Sequence, residues 1–534
     1  MDEQIEKLIN QSGGAGRYQI VILIVGFWIW NSNSLIQTSI PILERMPEVE
    51  YKNETTDLTY EICEEEYKIV KRYNFSWISD MGIECDQAKV GYIGTFFYSG
   101  MTVGNFLFSI ITKYVMHKQI IIIFTFTYVV FLFLTTVIEN FYFRIICFLI
   151  VGICQGLANP STLTIVSESV SSKKRSLYAS LINVGYSSCP IMYTYIYVYF
   201  PNWKYVFWLQ NIIAIICGVL YIILLKNSAR TFFSKNKNEE GIEVLKKIAK
   251  FNGKLEQFEE DLNDKEYDSL LRNNNQRVND EELNENQKTF GYSALFKYHS
   301  VRYKFIIFSV MWMIMTFLTN SIVINTKKMK GDFYINIITL FIVEILAGIL
   351  VGFIINIPSF GRKNSLRVFY IGVTLGFVLY ILFDKFEVGS IASLFAMSII
   401  RFSCTGVFTS YYIYFMECYP TPIRALGFGL NQTLGNLAGS ISPIIIEFFN
   451  EIILYISFAI LVVVDIILTF FVPETVGKPM IETIEELEEG KLITDKEGDN
   501  RIFERGTETV FSKSEEPIAK EKEEEEEKID NNKV

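Results

Sequence analysis

From Phe333 to Ile357 the chain reads FYINIITLFIVEILAGILVGFIINI, an unbroken apolar run with a single charge, Glu344, near its middle. A polypeptide crossing hydrocarbon must satisfy its backbone polar groups internally, and about 20 residues rising 1.5 Å each cover the apolar core of a bilayer as an α-helix. This stretch has the length and composition of a spanning helix. Its carboxylate stands where an isolated ionised side chain costs a few kcal/mol.

Similar blocks lie on either side, at Tyr18–Leu43, Val90–Thr112, Gln119–Ile138, Phe141–Ser167, Leu177–Tyr199, Tyr205–Leu225, Phe305–Thr326, Leu366–Phe383, Val388–Phe415, Ala425–Phe448 and Ile452–Phe471. With the first run they make about twelve spans. The sequence therefore predicts an all-α membrane protein. Half of the residues are hydrophobic and only 20% are charged, and the 44 Phe and 30 Tyr are spread along the chain rather than confined to one anchor.

Six blocks fall on each side of a polar insert, residues 226–303, which divides a first bundle (18–225) from a second (304–473). Within the insert, EEGIEVLKKIAKFNGKLEQFEEDL spaces Ile242, Leu245, Ile248 and Ala249 as one face of a surface helix, and RNNNQRVNDEELNENQK has the composition of a disordered linker. Much of the net charge of −10 gathers in EEPIAKEKEEEEEK (Glu515–Lys528), part of an acidic tail over 474–534. No basic stripe offers itself to nucleic acid.

Lys and Arg collect in alternate loops: Lys113 and Lys118, Lys173 to Arg175, Arg362, Lys363 and Arg367, and Arg424. That side reads as cytoplasmic, together with both termini, including polar residues 1–17. The opposite loops carry Lys204, Lys385 and the cluster Lys327, Lys328 and Lys330, which dilutes the bias. The long loop 47–87 is then external. It holds Cys63 and Cys85, a plausible disulfide, and the glycosylation sequons at Asn53 and Asn74. The other six Cys lie in or beside apolar blocks and read as small hydrophobes.

The fourth and tenth spans both end in Glu followed seven positions later by Arg: Glu168 with Arg175, and Glu417 with Arg424. Such a recurrence at one topological place is the mark of two related halves.

The stretches ECYPTPIRALGFGL (Glu417–Leu430) with Gly439–Pro443, VPETVGKPMIETIEELE (Val472–Glu488) and GDFYINIITLFIVEILAG (Gly331–Gly348) resemble the organic-ion transporters of the major facilitator superfamily, carriers of cations, anions and zwitterions. VGICQGLANPSTLTIVSESVSSKKR and SART followed by EEGIEVLKKIAKFNG fit more loosely. The resemblance implies twelve helices in two pseudo-symmetric six-helix bundles and transport by alternating access at the plasma membrane. The chain departs from the superfamily pattern after the second span, where TKYVMHK lacks the usual acid, and before Gly361, Arg362 and Lys363, where Pro358 replaces one.

The resemblance places Glu344 on the substrate path; the alternative is a carboxylate paired with a neighbouring helix. At Asn436 related cation carriers have an acid and anion or zwitterion carriers often Arg, so Asn either bonds a neutral or zwitterionic solute or bridges two helices. Asn33, Gln37, Gln155, Asn159, Trp312, Asn320 and Tyr411 are further candidates to face the path. Glu168, Arg175, Glu417, Arg424, Gly361, Arg362 and Lys363 form a candidate cytoplasmic gate, and Arg401 an external gate or a snorkelling residue.

No enzyme or cofactor signature competes. His117 and His299 are the two His, far apart in sequence, and no Gly-Lys-Ser or Gly-Lys-Thr phosphate loop occurs. A sugar carrier fits less well, because WMIMTFLTN (Trp312–Asn320) lacks the paired Gln usual in the seventh span. A non-transporting receptor or scaffold that kept the fold is the third reading. The expected partners are a small organic solute and the lipid bilayer.

Overall fold

The computed structural model describes residues 2–474 apart from 53, 72, 74–75, 113, 235–236, 263–292, 355–360 and 420. The sequons at Asn53 and Asn74, the linker and the acidic tail thus lie outside the described residues. Among the described residues there are twelve long helices: α1 (Arg17–Leu43), α2 (Gln87–Ile111), α3 (His117–Val137), α4 (Phe141–Glu168), α5 (Ser172–Tyr199), α6 (Trp203–Leu224), α7 (His299–Asn325), α8 (Phe333–Ile354), α9 (Arg362–Lys385), α10 (Ser390–Cys418), α11 (Thr421–Phe448) and α12 (Glu451–Leu468). Nine are apolar enough to span a membrane by composition alone. The other three, α2, α5 and α11, are as long but richer in Gly, Ser, Thr, Tyr and Asn. The reason is position: α2 packs along α11 and α5 along α8, so these helices face protein where others face lipid.

The two halves repeat one packing scheme. In the first, α4 packs on α2 and α3, α1 on α5 and α6, and α3 on α6; in the second, α10 packs on α8 and α9, α7 on α11 and α12, and α9 on α12. Exchanging the halves turns the α2–α11 seam into the α8–α5 seam, so the contacts between bundles obey the same pseudo-symmetry.

Small residues set the closest approach. Gly100 and Gly104 of α2 meet Gly152 and Gly156 of α4, and a Cβ on Gly100 would stand 2.1 Å from Leu149 O, one on Gly152 2.2 Å from Phe97 O. This small-xxx-small crossing lets backbones touch where dispersion replaces the hydrophobic effect as the packing force.

The first span is not continuous as read from sequence. It breaks at Ser34 between helices Arg17–Asn33 and Leu35–Leu43, because the polar run Asn31–Ser34 bonds sideways. Asn31 donates to Gly185 O (3.2 Å) and Ser188 Oγ (3.1 Å), and Ser32 to Gln210 O (3.1 Å).

At one end of the bundles, the loop end, Glu48–Tyr51 pairs antiparallel with Glu54–Asp57 and Lys68–Lys71 in a three-stranded sheet, and a disulfide joins Cys63 to Cys85. At the opposite, insert end the polar start folds as a helix, Asp2–Gln11. Its Ile5, Leu8 and Ile9 cluster with Ile242, Leu245 and Ala249 of the insert helix Asn238–Asn252. The Ile242, Leu245, Ile248 and Ala249 face is buried, with the amphipathic N-terminal helix as part of its cover. An ion pair between Glu6 and Arg230 reinforces this cap.

Candidate functional site

Glu344 shares its stripe of α8 with buried Ile337, Leu340, Phe341, Ala347 and Val351, whereas Ile335, Ile342, Leu346 and Ile349 on the other side are exposed. The 3.6-residue period therefore turns the carboxylate inward, away from lipid. Arg401 of α10 donates Nη2 to Glu344 Oε2; the guanidinium side chain is 3% exposed and the carboxylate 14%. Arg401 also lies over the Phe341 ring at 5.0 Å. Tyr186 of α5 and Tyr98 of α2, both from the first half, stand within electrostatic reach of the pair. The pair thus lies where the halves meet. Arg401, read from sequence as an external gate or a snorkelling residue, stands about three turns inside its helix.

One atom of each partner is left over. Arg401 Nη1 is buried and has no hydrogen-bond partner among the described residues, and Glu344 Oε1 accepts no bond from any of them.

The remaining candidates fall into two groups. In the first half, Asn33 donates to Asn159 (2.9 Å) and Gln155 to Gln37 (2.9 Å), tying α1 to α4. In the second, Trp312 stacks on Tyr411 at 4.5 Å and donates Nε1 to Gln432 (3.2 Å), while Tyr411 donates to Phe308 O (2.7 Å). Asn320 lies against Gly439, and Asn436 is mostly buried. Glu344 is not the sole carboxylate inside a span. Asp465 of α12 is fully buried against Tyr370 of α9, in the second half's core.

The loop end carries a cluster that sequence reading missed. Lys327, just past α7, donates to Glu44 at the end of α1 (2.6 Å) and also to Glu447 of α11; all three are nearly fully buried. Tyr60 of the loop donates to Glu447 Oε2 (2.6 Å), Lys328 to Ile446 O (2.7 Å), and Arg45 to Lys327 O (3.0 Å). Because Glu44 and Tyr60 belong to the first half and its loop and Lys327 and Glu447 to the second, this lock ties the halves together. Taking away one member of a buried ion cluster costs about 3–5 kcal/mol. The signal in the sequence was the surplus of Lys on the side expected to be poor in it: Lys327 is consumed by the lock, Lys328 caps α11, and Lys330 pairs with Asp384 (2.6 Å).

At the insert end, Glu417 accepts from Arg362 (3.2 Å), Arg424 donates to Tyr419 O (3.1 Å), and Glu168 accepts from Thr231 (3.2 Å). The first two of these contacts lie within the second half, and the third joins the first half to the insert. Arg175 stands in the first turn of α5. The acid absent before Gly361 is supplied from far along the chain. Glu474 accepts from the backbone N–H groups of Arg362 (3.1 Å) and Lys363 (3.2 Å), opposite Gly361 at φ +73. A carboxylate there meets the positive end of the α9 dipole.

The family model of the Major Facilitator Superfamily matches residues 69–443. Among characterised proteins, the chain is 24% identical over 415 residues to solute carrier family 22 member 15-like of Xenopus laevis, covering 76% of this chain and 80% of that protein. It is 23% identical over 421 residues to organic cation/carnitine transporter 2 of Rattus norvegicus (77% and 71%) and 25% identical over 428 residues to organic cation transporter 1 of Caenorhabditis elegans (78% and 69%). Among solved structures, the inward-open xylose transporter XylE of E. coli superposes with a TM-score of 0.62 at 14% identity, covering 88% of this chain and 98% of that one. Two related six-helix bundles meeting at an inward-facing ion pair are those of a multi-pass membrane transporter, and the chain belongs to the Major Facilitator Superfamily. Within it, the resemblance read from the Glu417–Leu430 and Val472–Glu488 stretches agrees with these solute carrier relatives.

Proposed function

We propose that the chain carries small organic ions by alternating access, with the solute held between the halves beside Glu344 and Arg401. What carries this reading is a charged pair turned inward on two second-half helices, with first-half tyrosines close by. The names of the similar carriers, which include organic cation transporters, point to the same class of solute. Rocking of the halves exposes the pair to one side and then the other. The Glu44–Lys327–Glu447 lock holds the loop end shut, and the Arg362–Glu417 pair belongs to the opposite gate. We place the protein in the plasma membrane, with both termini on the cytoplasmic side and glycans on Asn53 and Asn74, and assign it no catalytic chemistry.

Uptake of labelled organic cations, anions, zwitterions and hexoses into vesicles carrying the purified protein tests the reading. Saturable flux of at least one organic ion, reduced in Glu344→Gln, is expected. Flux of hexose alone, or of nothing, overturns it.

A further inference from the structure

Resting on the reading of the loop end as a gate, we propose that the Cys63–Cys85 disulfide is a redox-releasable strap. Intact, it holds Tyr60 on Glu447 and helps keep the halves together; a small thiol on the loop side releases it. The place where the bridge is attached carries the inference. Cys85 directly precedes Asp86, which caps α2 by accepting from Lys89 N (3.1 Å). The first turns of α2 lie against α11 in the seam between the halves, Gly91 on Ile444 and Gly94 on Pro443, about one turn from Glu447. The bridge thus welds the turn 59–63, closed by Cys63 N on Thr59 O (3.2 Å), to the first half close beside Glu447 of the second. From that turn Tyr60 donates across the seam to Glu447 Oε2 (2.6 Å).

With the bridge cut, the turn keeps its other anchor, Leu58 N on Pro47 O (2.8 Å) and the small cluster of Val49, Leu58 and Ile62. Tyr60 is then free to follow Glu447 as the halves part, so its bond no longer opposes their separation. Lys327 stays on Glu447, and the lock is loosened rather than abolished. Trp77, fully buried between Phe148 and Trp203, keeps the rest of the loop seated on the first half. The bridge is also placed for exchange: Cys85 is exposed, whereas the six free Cys are buried, and exposed disulfides are the labile ones. A thiolate attacks Cys85 Sγ, the S–S bond breaks, and Cys63 leaves as a thiolate that takes up a proton. A second thiol resolves the mixed disulfide, so the reductant departs as a disulfide and its two electrons remain on Cys63 and Cys85.

The test needs no solute. Donor and acceptor dyes are joined by oxime chemistry to p-acetylphenylalanine in place of Tyr142 and Phe386, which are exposed at the loop end of either half. Energy transfer is read on the full chain in lipid nanodiscs before and after dithiothreitol, and alkylation with mass spectrometry confirms that both thiols are released. Reduction should raise the ratio of open to closed molecules about tenfold, the scale of one hydrogen bond to a charged group. Tyr60→Phe with the bridge intact should open the loop end by the same factor. Reduction should then add nothing, because both changes remove one interaction. A bridge that merely keeps the loop folded predicts instead that reduction acts on Tyr60→Phe as on the unmodified protein, and that result overturns the strap. Release of both thiols with the dyes unmoved, while Lys327→Met moves them, also overturns it and leaves the gate standing. Dyes unmoved in Lys327→Met as well overturn the gate and the strap together, whatever solute uptake shows.

Discussion

Lys327 pairs with two carboxylates at once, so Lys327→Met leaves Glu44 and Glu447 buried side by side. The loop end should then open: a reporter introduced as Ser39→Cys, about one turn below Glu44, should gain reactivity toward a loop-side thiol reagent. Adding Glu44→Gln and Glu447→Gln removes the stranded charges and should restore protection. Reactivity unchanged by Lys327→Met would remove the lock from the gating scheme. Burial raises the carboxyl of Glu44 above its ordinary range, with Lys327 opposing. A proton therefore binds the locked form more tightly than one in which Glu44 meets water. This contribution to locking is complete below the ordinary glutamate value of about 4.3 and is lost as pH rises through the raised one. Reporter reactivity should accordingly increase with loop-side alkalinisation across that window, and Glu44→Gln should flatten the profile. At this scale the sequence was half legible. A carboxylate in the middle of an apolar run announces itself, but Glu344 and Arg401 are separated by 57 residues, and no local pattern says that they touch. Lys327 could be seen only as a charge on the unexpected side.

The α2–α4 crossing depends on backbone meeting backbone, and a methyl there has no side chain to push aside. Gly152→Ala, whose Cβ would sit 2.2 Å from Phe97 O, should lower the thermal midpoint and the yield of folded protein in detergent by a cost on the order of 1–3 kcal/mol. Gly348→Ala, with nothing within 4 Å of the new Cβ, is the matched control and should behave as the unmodified protein. Equal midpoints for both would mean that the helices can separate freely. Spans were legible because length and apolarity are local properties imposed by lipid. The break at Ser34 was not, since it arises from Gly185, Ser188 and Gln210, which lie on α5 and α6. The N-terminal helix was overlooked for a similar reason: its three apolar residues acquire a partner only once the insert folds against them.

For the molecule as a whole, the twofold relation between halves was foreshadowed by Glu168–Arg175 and Glu417–Arg424, yet those pairs do not do the same work. Glu417 turns to Arg362 and Glu168 to Thr231. Duplication preserved the residues while each half found its own partners. The inward pair at the meeting of the halves also has an electrical meaning. Its two charges cancel, and Glu44 and Glu447 are balanced by Lys327 and Lys328, so these groups add no net charge of their own to what crosses the field. The imposed potential should then act on the solute's charge alone, about 2.3 kcal/mol per 100 mV for a monocation and nothing for a neutral molecule, as a potassium–valinomycin clamp of the vesicles can measure. A depolarised cell would lose that part of the pull on a cationic solute.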